Sequence, residues 1–316
     1  MSNKKIGCGC LGCSIPLLTF IVLLVIILPL SIFGVINGAF GKNFIPAPHV
    51  ELPAEIVFHI GVFPVTNTII TSWITVLLLI LISLLVTRKP KLIPSRLQSA
   101  VEAILEWMYN FCKDVAGEVK GRKFFPVVTT IFLFVLINAL MNLIPGFGSL
   151  LMTGAEGEKV LLLRGANTDI NTAAALAVFA FLFIEFWGFK FNGIGYLKKF
   201  FTVERAFKGW GKVFRGKLSG FGDVLFGAID TIVGLLELLL EFVRLLSFTF
   251  RLFGNMTGGE ILILILFFLL GFAGFGFIQI GYIFEMLVGV VQALIFAGLT
   301  LVFATMASEH HGSEEH

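Results

Sequence analysis

The sequence RLFGNMTGGE, residues 251–260, is a polar interruption in an apolar run that extends from about residue 226 to about residue 272. An arginine at the centre of a bilayer costs about 2.5 to 3.5 kcal/mol on insertion scales, so such residues are retained mainly where they pair and serve a function. The apolar flanks predict a membrane-embedded helix. Arg251 is therefore the first candidate functional residue.

The composition indicates the class of protein. The 316 residues are 57% hydrophobic and only 14% charged, whereas soluble domains contain about 25% charged residues. Several apolar runs have the spanning length of about 20 residues, and they lack the alternation of an outer-membrane barrel. We therefore expect an all-α integral membrane protein, a polytopic helical bundle with a long, tilted C-terminal helical hairpin and one amphipathic surface helix.

The N-terminal part contains two predicted spans. An apolar segment at about residues 14–35 follows two lysines and is more typical of a retained signal anchor than of a cleaved signal peptide. Residues 37–66 contain several prolines and few basic residues, which predicts an irregular segment outside the cytoplasm. A second span at about residues 67–86 ends at the basic cluster 88–91, which places that end in the cytoplasm.

The middle of the chain alternates between surface and membrane. Residues 95–120 have the amphipathic pattern of a helix at the membrane surface, and a third span follows at about residues 124–144. An outer loop covers residues 147–168. Cap-forming side chains at residues 167–172 then open a fourth span, which ends near residue 189.

Two long apolar helices are predicted at the C-terminus. The basic loop before them, at about residues 190–222, indicates a cytoplasmic location, and we interpret its charge as orientation and anionic-lipid contact rather than nucleic-acid binding. The helices cover about residues 221–270 and 276–306, with a glycine-rich turn between them. The first is too long for an untilted crossing, so it requires tilt, a kink or a start on the membrane surface.

The angular positions of the polar residues around the penultimate helix follow from their spacing in the sequence. At 100° per residue, Glu260 falls about 180° from Arg251 and roughly 14 Å further along the axis. Five polar residues lie within about 40° of one line, which we call the polar stripe: Glu237, Arg244, Ser247, Arg251 and Asn255.

The last helix adds a second set of polar residues. Glu285 and Gln292 are seven residues apart and lie on nearly one face, where Glu260 could approach them. Buried carboxyl groups in such surroundings have the ionised form disfavoured, as a proton relay requires. We therefore predict an electrostatic gate at Arg251 and a hydrated proton path at Glu260, Glu285 and Gln292.

Structural roles remain alternatives for the same residues. Arg251 could form an internal salt bridge with Glu237 or Glu241, and Asn255 and Gln292 could make interhelical hydrogen bonds. Close helix packing is the favoured interpretation of three glycines: Gly254, Gly258 and Gly259.

The sequence indicates neither a cofactor nor a metal. The spacing of Cys8, Cys10 and Cys13 matches no standard zinc motif and fits a reduced cytoplasmic flank, and Cys112 is expected to serve packing. No G-x-x-x-x-G-K-[ST] phosphate loop is present in the sequence, so we expect no nucleotide site.

Several motifs together resemble one family, subunit a of the F-type ATP synthase. Residues 247–256 with Glu260 are similar to its signature around an essential arginine, and residues 292–296 to its last-helix motif. Further similarity lies at residues 142–146, 168–172 and 306–310. The resemblance covers about residues 55–310, which leaves an N-terminal extension at 1–54 and a tail at 311–316.

The resemblance implies a proton-translocating stator subunit, itself non-catalytic, in a bacterial inner membrane or an equivalent energy-coupling membrane. Its partners would be the c-subunit ring, the peripheral-stalk b subunits and the lipid bilayer, with no nucleic acid. Arg251 would face the ring carboxylate between two half-channels. The resemblance assigns Glu260, Glu285 and Gln292 to the outer half-channel, Glu237, Ser247 and Asn255 to the cytoplasmic one, and Asp169 and Asn171 to the outer entrance.

Two positions depart from the family pattern. Glu285 stands where histidine is also found, which excludes a relay based on histidine, and Leu245 stands where many members have proline.

Two other classes of function stay open at this point. One is an autonomous secondary transporter with Arg251 as an anion or counter-ion site, although no internal repeat is visible; the other is a structural membrane scaffold.

Overall fold

The computed structural model describes most of the chain after residue 52. The predicted first span, the N-terminal cysteines and most of the basic loop lie outside the described residues. The described ranges are 53–88, 94–144, 147, 150–153, 159–193, 196, 219–270 and 274–309.

Five long helices dominate the described chain and confirm the all-α class. Their bounds are Asn67–Thr87 (α1), Arg96–Asn142 (α2), Ile170–Asn192 (α3), Ser219–Leu270 (α4) and Gly274–Ala307 (α5). Four segments among the described residues are long and apolar enough to cross a membrane: Asn67–Thr87, Arg96–Asn142, Ile170–Asn192 and Gln279–Ala307.

A β-hairpin precedes α1, where an irregular segment was expected. Strand β1 (Ile56–Ile60) pairs antiparallel with β2 (Phe63–Thr66). The prediction from proline content was wrong for this part because β-branched and aromatic residues favour a strand, and a two-stranded ladder has edges that tolerate Pro64. Gly61, with φ of 64°, supplies the left-handed turn between the strands.

The outer loop after α2 also contains regular structure. A second short ladder pairs β3 (Leu151–Thr153) with β4 (Lys159–Leu161), and a 3₁₀ turn at Ala166–Thr168 leads into α3. The side chain of Asp169 accepts a hydrogen bond from the backbone N–H of Asn171 and so caps α3, as the capping residues predicted.

The predicted surface helix and third span are consecutive parts of α2. The helix is interrupted at Gly117, whose φ of 76° and ψ of 169° are not helical. The interruption comes a turn earlier than the expected junction near residues 121–123, because glycine reaches this conformation without a steric cost. Cys112, just before the break, is fully buried in the core, as expected, and has no disulfide partner among the described residues.

The described chain forms two compact units, and α4 and α5 each contribute to both. One unit includes residues 53–256 and the chain from residue 288 onwards, and the other includes residues 257–287. The main core belongs to the larger unit and draws residues from α2 to α5, among them Phe124, Ile184, Leu252 and Phe296.

Candidate functional site

One face of α4 packs into the core of the larger unit. Phe248, Leu252 and Met256 repeat at helical spacing and are at most 3% exposed. The ring of Phe248 lies 5.1 Å from that of Phe296 on α5, measured between centroids. This packing fixes the rotation of α4 and therefore the direction of its polar stripe.

Arg251 lies beside this buried face and next to an open apolar surface. Its side chain is half-buried, whereas Ser247 and Asn255 on the same stripe are exposed. Phe250, the preceding residue, is 56% exposed, and Leu240, three helical turns earlier on the same face, is 59% exposed. Within the part of the chain that the structure describes, Arg251 has no hydrogen-bond or ion-pair partner.

A second arginine on the stripe has a partner. Arg244 forms an ion pair with Glu241, which is 6% exposed, and its guanidinium carbon lies 4.0 Å from the centroid of Phe303 on α5. Glu241 therefore pairs with Arg244 and not with Arg251. The alternative of an internal Arg251–Glu241 salt bridge was wrong. Glu241 is paired with Arg244, one turn away, whereas Arg251 lies about 15 Å further along the helix. Glu237, the other proposed partner, is half-buried.

An interhelical hydrogen bond, the structural alternative for Asn255 and Gln292, joins α4 and α5 one turn beyond Arg251. Nδ2 of Asn255 donates to Oε1 of Gln292 over 2.7 Å. Gln292 is 1% exposed, and its own Nε2 has no acceptor among the described residues. A buried donor without an acceptor costs about 1 to 3 kcal/mol, which makes this amide a natural contact for water.

The smaller unit holds the two membrane carboxyl groups of the predicted path. Glu285 is 8% exposed. A Cβ built on Gly259 would lie 3.2 Å from Oε1 of Glu285, so the missing side chain provides the space for this carboxyl group. Glu260, the next residue along α4, is half-buried.

The three glycines expected to serve close packing differ in their surroundings. Gly259 is packed against Glu285, as expected. A Cβ at Gly254 or Gly258 would meet no atom within 4 Å in the described chain. Their flat surface is therefore open to a neighbour outside these residues.

Asp169 takes part in buried contacts that the sequence did not reveal. Besides capping α3, its Oδ2 accepts a hydrogen bond from the hydroxyl of Thr68 over 3.1 Å, and it is 5% exposed. Asn171 is exposed. The two predicted entrance residues therefore have different environments.

Sequence reasoning missed a buried polar face on α1. Asn67, Thr71 and Thr75 are fully buried, and the hydroxyl of Thr75 donates to Oδ1 of Asn138 on α2 over 3.0 Å. The signal was their spacing of four residues, which places polar side chains on one face of an otherwise apolar helix.

Among the described residues, no three His, Cys, Asp or Glu side chains lie close enough together to hold a metal ion.

These features define a class, an α-helical multi-pass membrane protein whose last two helices hold buried and half-buried polar groups. The family model that matches residues 69–305 is described as ATP synthase A chain. The chain belongs to this family, that of ATP synthase subunit a. It is thus a subunit of the membrane sector of ATP synthase, with the multi-pass arrangement of a bacterial inner-membrane protein.

Relatives match over most of their length. ATP synthase subunit a 1 of Pelobacter propionicus is 34% identical over 232 residues, which cover 73% of this chain and 83% of that protein. ATP synthase subunit a of Solidesulfovibrio magneticus is 29% identical over 80% of this chain and 88% of its own length. That of Moorella thermoacetica is 29% identical, with 82% and 97% covered.

Proposed function

We propose that this chain is the proton-translocating stator subunit of its ATP synthase and that Arg251 faces a carboxylate on the rotating c-subunit ring. The observation that carries this proposal is the half-buried guanidinium of Arg251, which borders an exposed apolar surface and has no partner within the described residues. A charge in a membrane helix normally has a partner. A carboxylate on a neighbouring chain would complete the pair.

The chemistry of the gate follows from this pairing. At about 4 Å and an effective dielectric constant near 20, two opposite unit charges attract by about 4 kcal/mol. A ring carboxyl group that reaches Arg251 is therefore favoured in its ionised form and releases its proton. It takes up another proton after it moves away, so Arg251 separates release from uptake.

The remaining predicted residues supply two paths to the gate. We assign Glu260, Glu285 and Gln292 to the outer half-channel and Glu237, Ser247 and Asn255 to the cytoplasmic one. The buried amide of Gln292 supports hydration near the gate. Its hydrogen bond with Asn255 brings one residue of each set together, one helical turn from Arg251.

The outer entrance is assigned to Asp169 and Asn171. Exposed Asn171 can contact water, and Asp169 holds the start of α3 against Thr68. Residues 55–310 form the subunit a domain in this proposal, and the matched range 69–305 lies within it. The chain itself would be non-catalytic, with the c ring and the peripheral-stalk b subunits as its partners.

The test uses two phenylalanines with nearly equal exposure. Phe250 on α4 and Phe186 on α3 are 56% and 57% exposed. In the assembled complex, a cysteine at position 250 is expected to crosslink to a cysteine on the outer helix of the c subunit, whereas one at position 186 is not. Equal crosslinking at both positions, or crosslinking only from position 186, would overturn the assignment of the ring-facing surface.

A further inference from the structure

Two arginines on one helix face differ in whether their charge is neutralised. Arg244 and Arg251 are seven residues apart, which places them within about 20° of each other and roughly 10 Å apart along α4. Arg244 is paired with Glu241 and covered by the ring of Phe303. Arg251 has no such contact among the described residues.

The Arg244–Glu241 pair belongs to a buried cluster built from several segments. Tyr196, which is 5% exposed, donates a hydrogen bond from its hydroxyl to Oε1 of Glu185 on α3 over 3.3 Å. Burial, and then the negative charges of Glu185 and Glu241, raise the pKa of Tyr196, and the charge of Arg244 opposes them. The Arg244 side chain is 23% exposed, and the residues that neutralise and partly cover it, Glu241 and Phe303, lie outside the polar stripe.

The pairing of Arg244 has a consequence for a ring that passes along α4. A second available guanidinium on the stripe would attract the same ring carboxylate and hold it ionised away from Arg251. We propose that Glu241 and Phe303 are positioning residues that sequester Arg244, so that the ring meets one available guanidinium. This inference rests on the proposed role of Arg251.

The geometry favours sequestration over a direct contact of Arg244 with the ring. Phe303 lies on α5 and contacts Phe248 of the core face, with ring centroids 5.9 Å apart. The Arg244 guanidinium is thus directed towards the packed side of α4. Glu241, which is 6% exposed, neutralises the charge of Arg244 on that side. Glu241 also needs Arg244, because a buried carboxylate without a partner is unfavourable.

The test measures ATP-driven proton pumping by the complete complex in inverted membrane vesicles. Glu241→Gln removes the counter-charge and should lower pumping by about tenfold, the scale of one lost charge interaction. Adding Arg244→Gln should restore most of the pumping, because the released charge is then absent. At equal amounts of assembled complex, Arg244→Gln alone should impair pumping less than Glu241→Gln alone, although it leaves the buried carboxyl group of Glu241 without its partner.

A second pair of variants keeps the test decisive if Glu241→Gln prevents assembly. Phe303→Leu removes the aromatic face but retains an apolar side chain, and its defect should also be relieved by Arg244→Gln. The amounts of the chain and of the c subunit in the membranes report assembly in each case. A merely structural role predicts that any relief follows the amount of assembled complex, since removal of both charges leaves neither unpaired, whereas sequestration predicts relief of pumping per assembled complex.

Two outcomes would overturn the inference. Double variants that pump no better than Glu241→Gln or Phe303→Leu would exclude sequestration, and so would Arg244→Gln alone being the most impaired. Arg251→Ala, measured in the same vesicles, distinguishes a failure of the Arg244 inference from a failure of the proposed function of Arg251. If Arg251→Ala pumps normally, the gate itself is wrong; if it does not pump and relief is absent, only the sequestration of Arg244 is wrong.

Discussion

The side chains of Asn255 and Gln292 join the last two helices through a 2.7 Å hydrogen bond, one turn beyond Arg251. Asn255 is an exposed residue of the polar stripe of α4, and Gln292 is buried on α5. The bond therefore connects the open surface beside the arginine with the interior of the larger unit. It also fixes the orientation of the Gln292 amide, leaving Nε2 available to a proton path.

Removing this bond is predicted to destabilise the chain. Asn255→Leu would leave the buried Oε1 of Gln292 without its donor, at a cost of about 1 to 3 kcal/mol. Thermal unfolding of the detergent-purified chain measures the effect. Replacement of both residues by leucine should cost less than the sum of the single changes; strict additivity would show that the bond does not contribute to stability.

Two glycines provide a matched test of packing. A Cβ at Gly289 on α5 would lie 2.8 Å from Cβ of Ala139 on α2, whereas one at Gly254 would meet nothing within 4 Å. Gly289→Ala should therefore destabilise the purified chain by about 1 to 3 kcal/mol. Gly254→Ala should stabilise it by up to about 1 kcal/mol through helix propensity. Equal effects on the melting temperature would contradict the packing of α2 against α5.

Asp169 has a structural and a proposed conducting role, which two substitutions separate. Asp169→Ala removes the cap of α3 and the contact with Thr68, and should lower stability by about 1 kcal/mol or more. Asp169→Asn keeps one oxygen to accept the capping hydrogen bond from Asn171, and its amide nitrogen can donate to the Thr68 hydroxyl where Oδ2 of Asp169 accepts, but it cannot ionise. If Asp169 belongs to the outer entrance, Asp169→Asn will melt like the unmodified chain and conduct protons more slowly. Unchanged proton flux would limit Asp169 to capping.

Gly259 and Glu285 are predicted to act as a pair. Gly259→Ala would place a Cβ 3.2 Å from the Glu285 carboxyl group and displace it, so it should slow proton flux in the same direction as Glu285→Gln. The two changes together should be little worse than Glu285→Gln alone, because they affect the same group. Passive proton flux through the membrane sector in vesicles measures this. A fully multiplicative loss would indicate that Gly259 acts elsewhere.

Sequence periodicity predicted the helices and the stripe because apolar length and a 3.6-residue repeat are local properties. Arg251, Asn255 and Gln292 were selected as candidate residues in this way. Helix geometry favours the pairing of Arg244 with Glu241, three residues away, over that of Arg251, ten residues or about 15 Å along the helix. The contact of Arg244 with Phe303 on another helix could not be predicted from the sequence. The buried face of α1 was missed because one asparagine and two threonines do not interrupt a strongly apolar run.

The central claim is that the charge of Arg251 acts on the ring. The most direct measurement is ATP synthesis driven by an imposed proton gradient in vesicles that contain the complete complex with Arg251→Ala, compared with the unmodified complex at equal amounts of assembled c ring. The account predicts a loss of about a hundredfold or more, because an interaction of about 4 kcal/mol at the gate is removed. A rate of ATP synthesis within about twofold of that of the unmodified complex would contradict the claim that Arg251 acts on the ring.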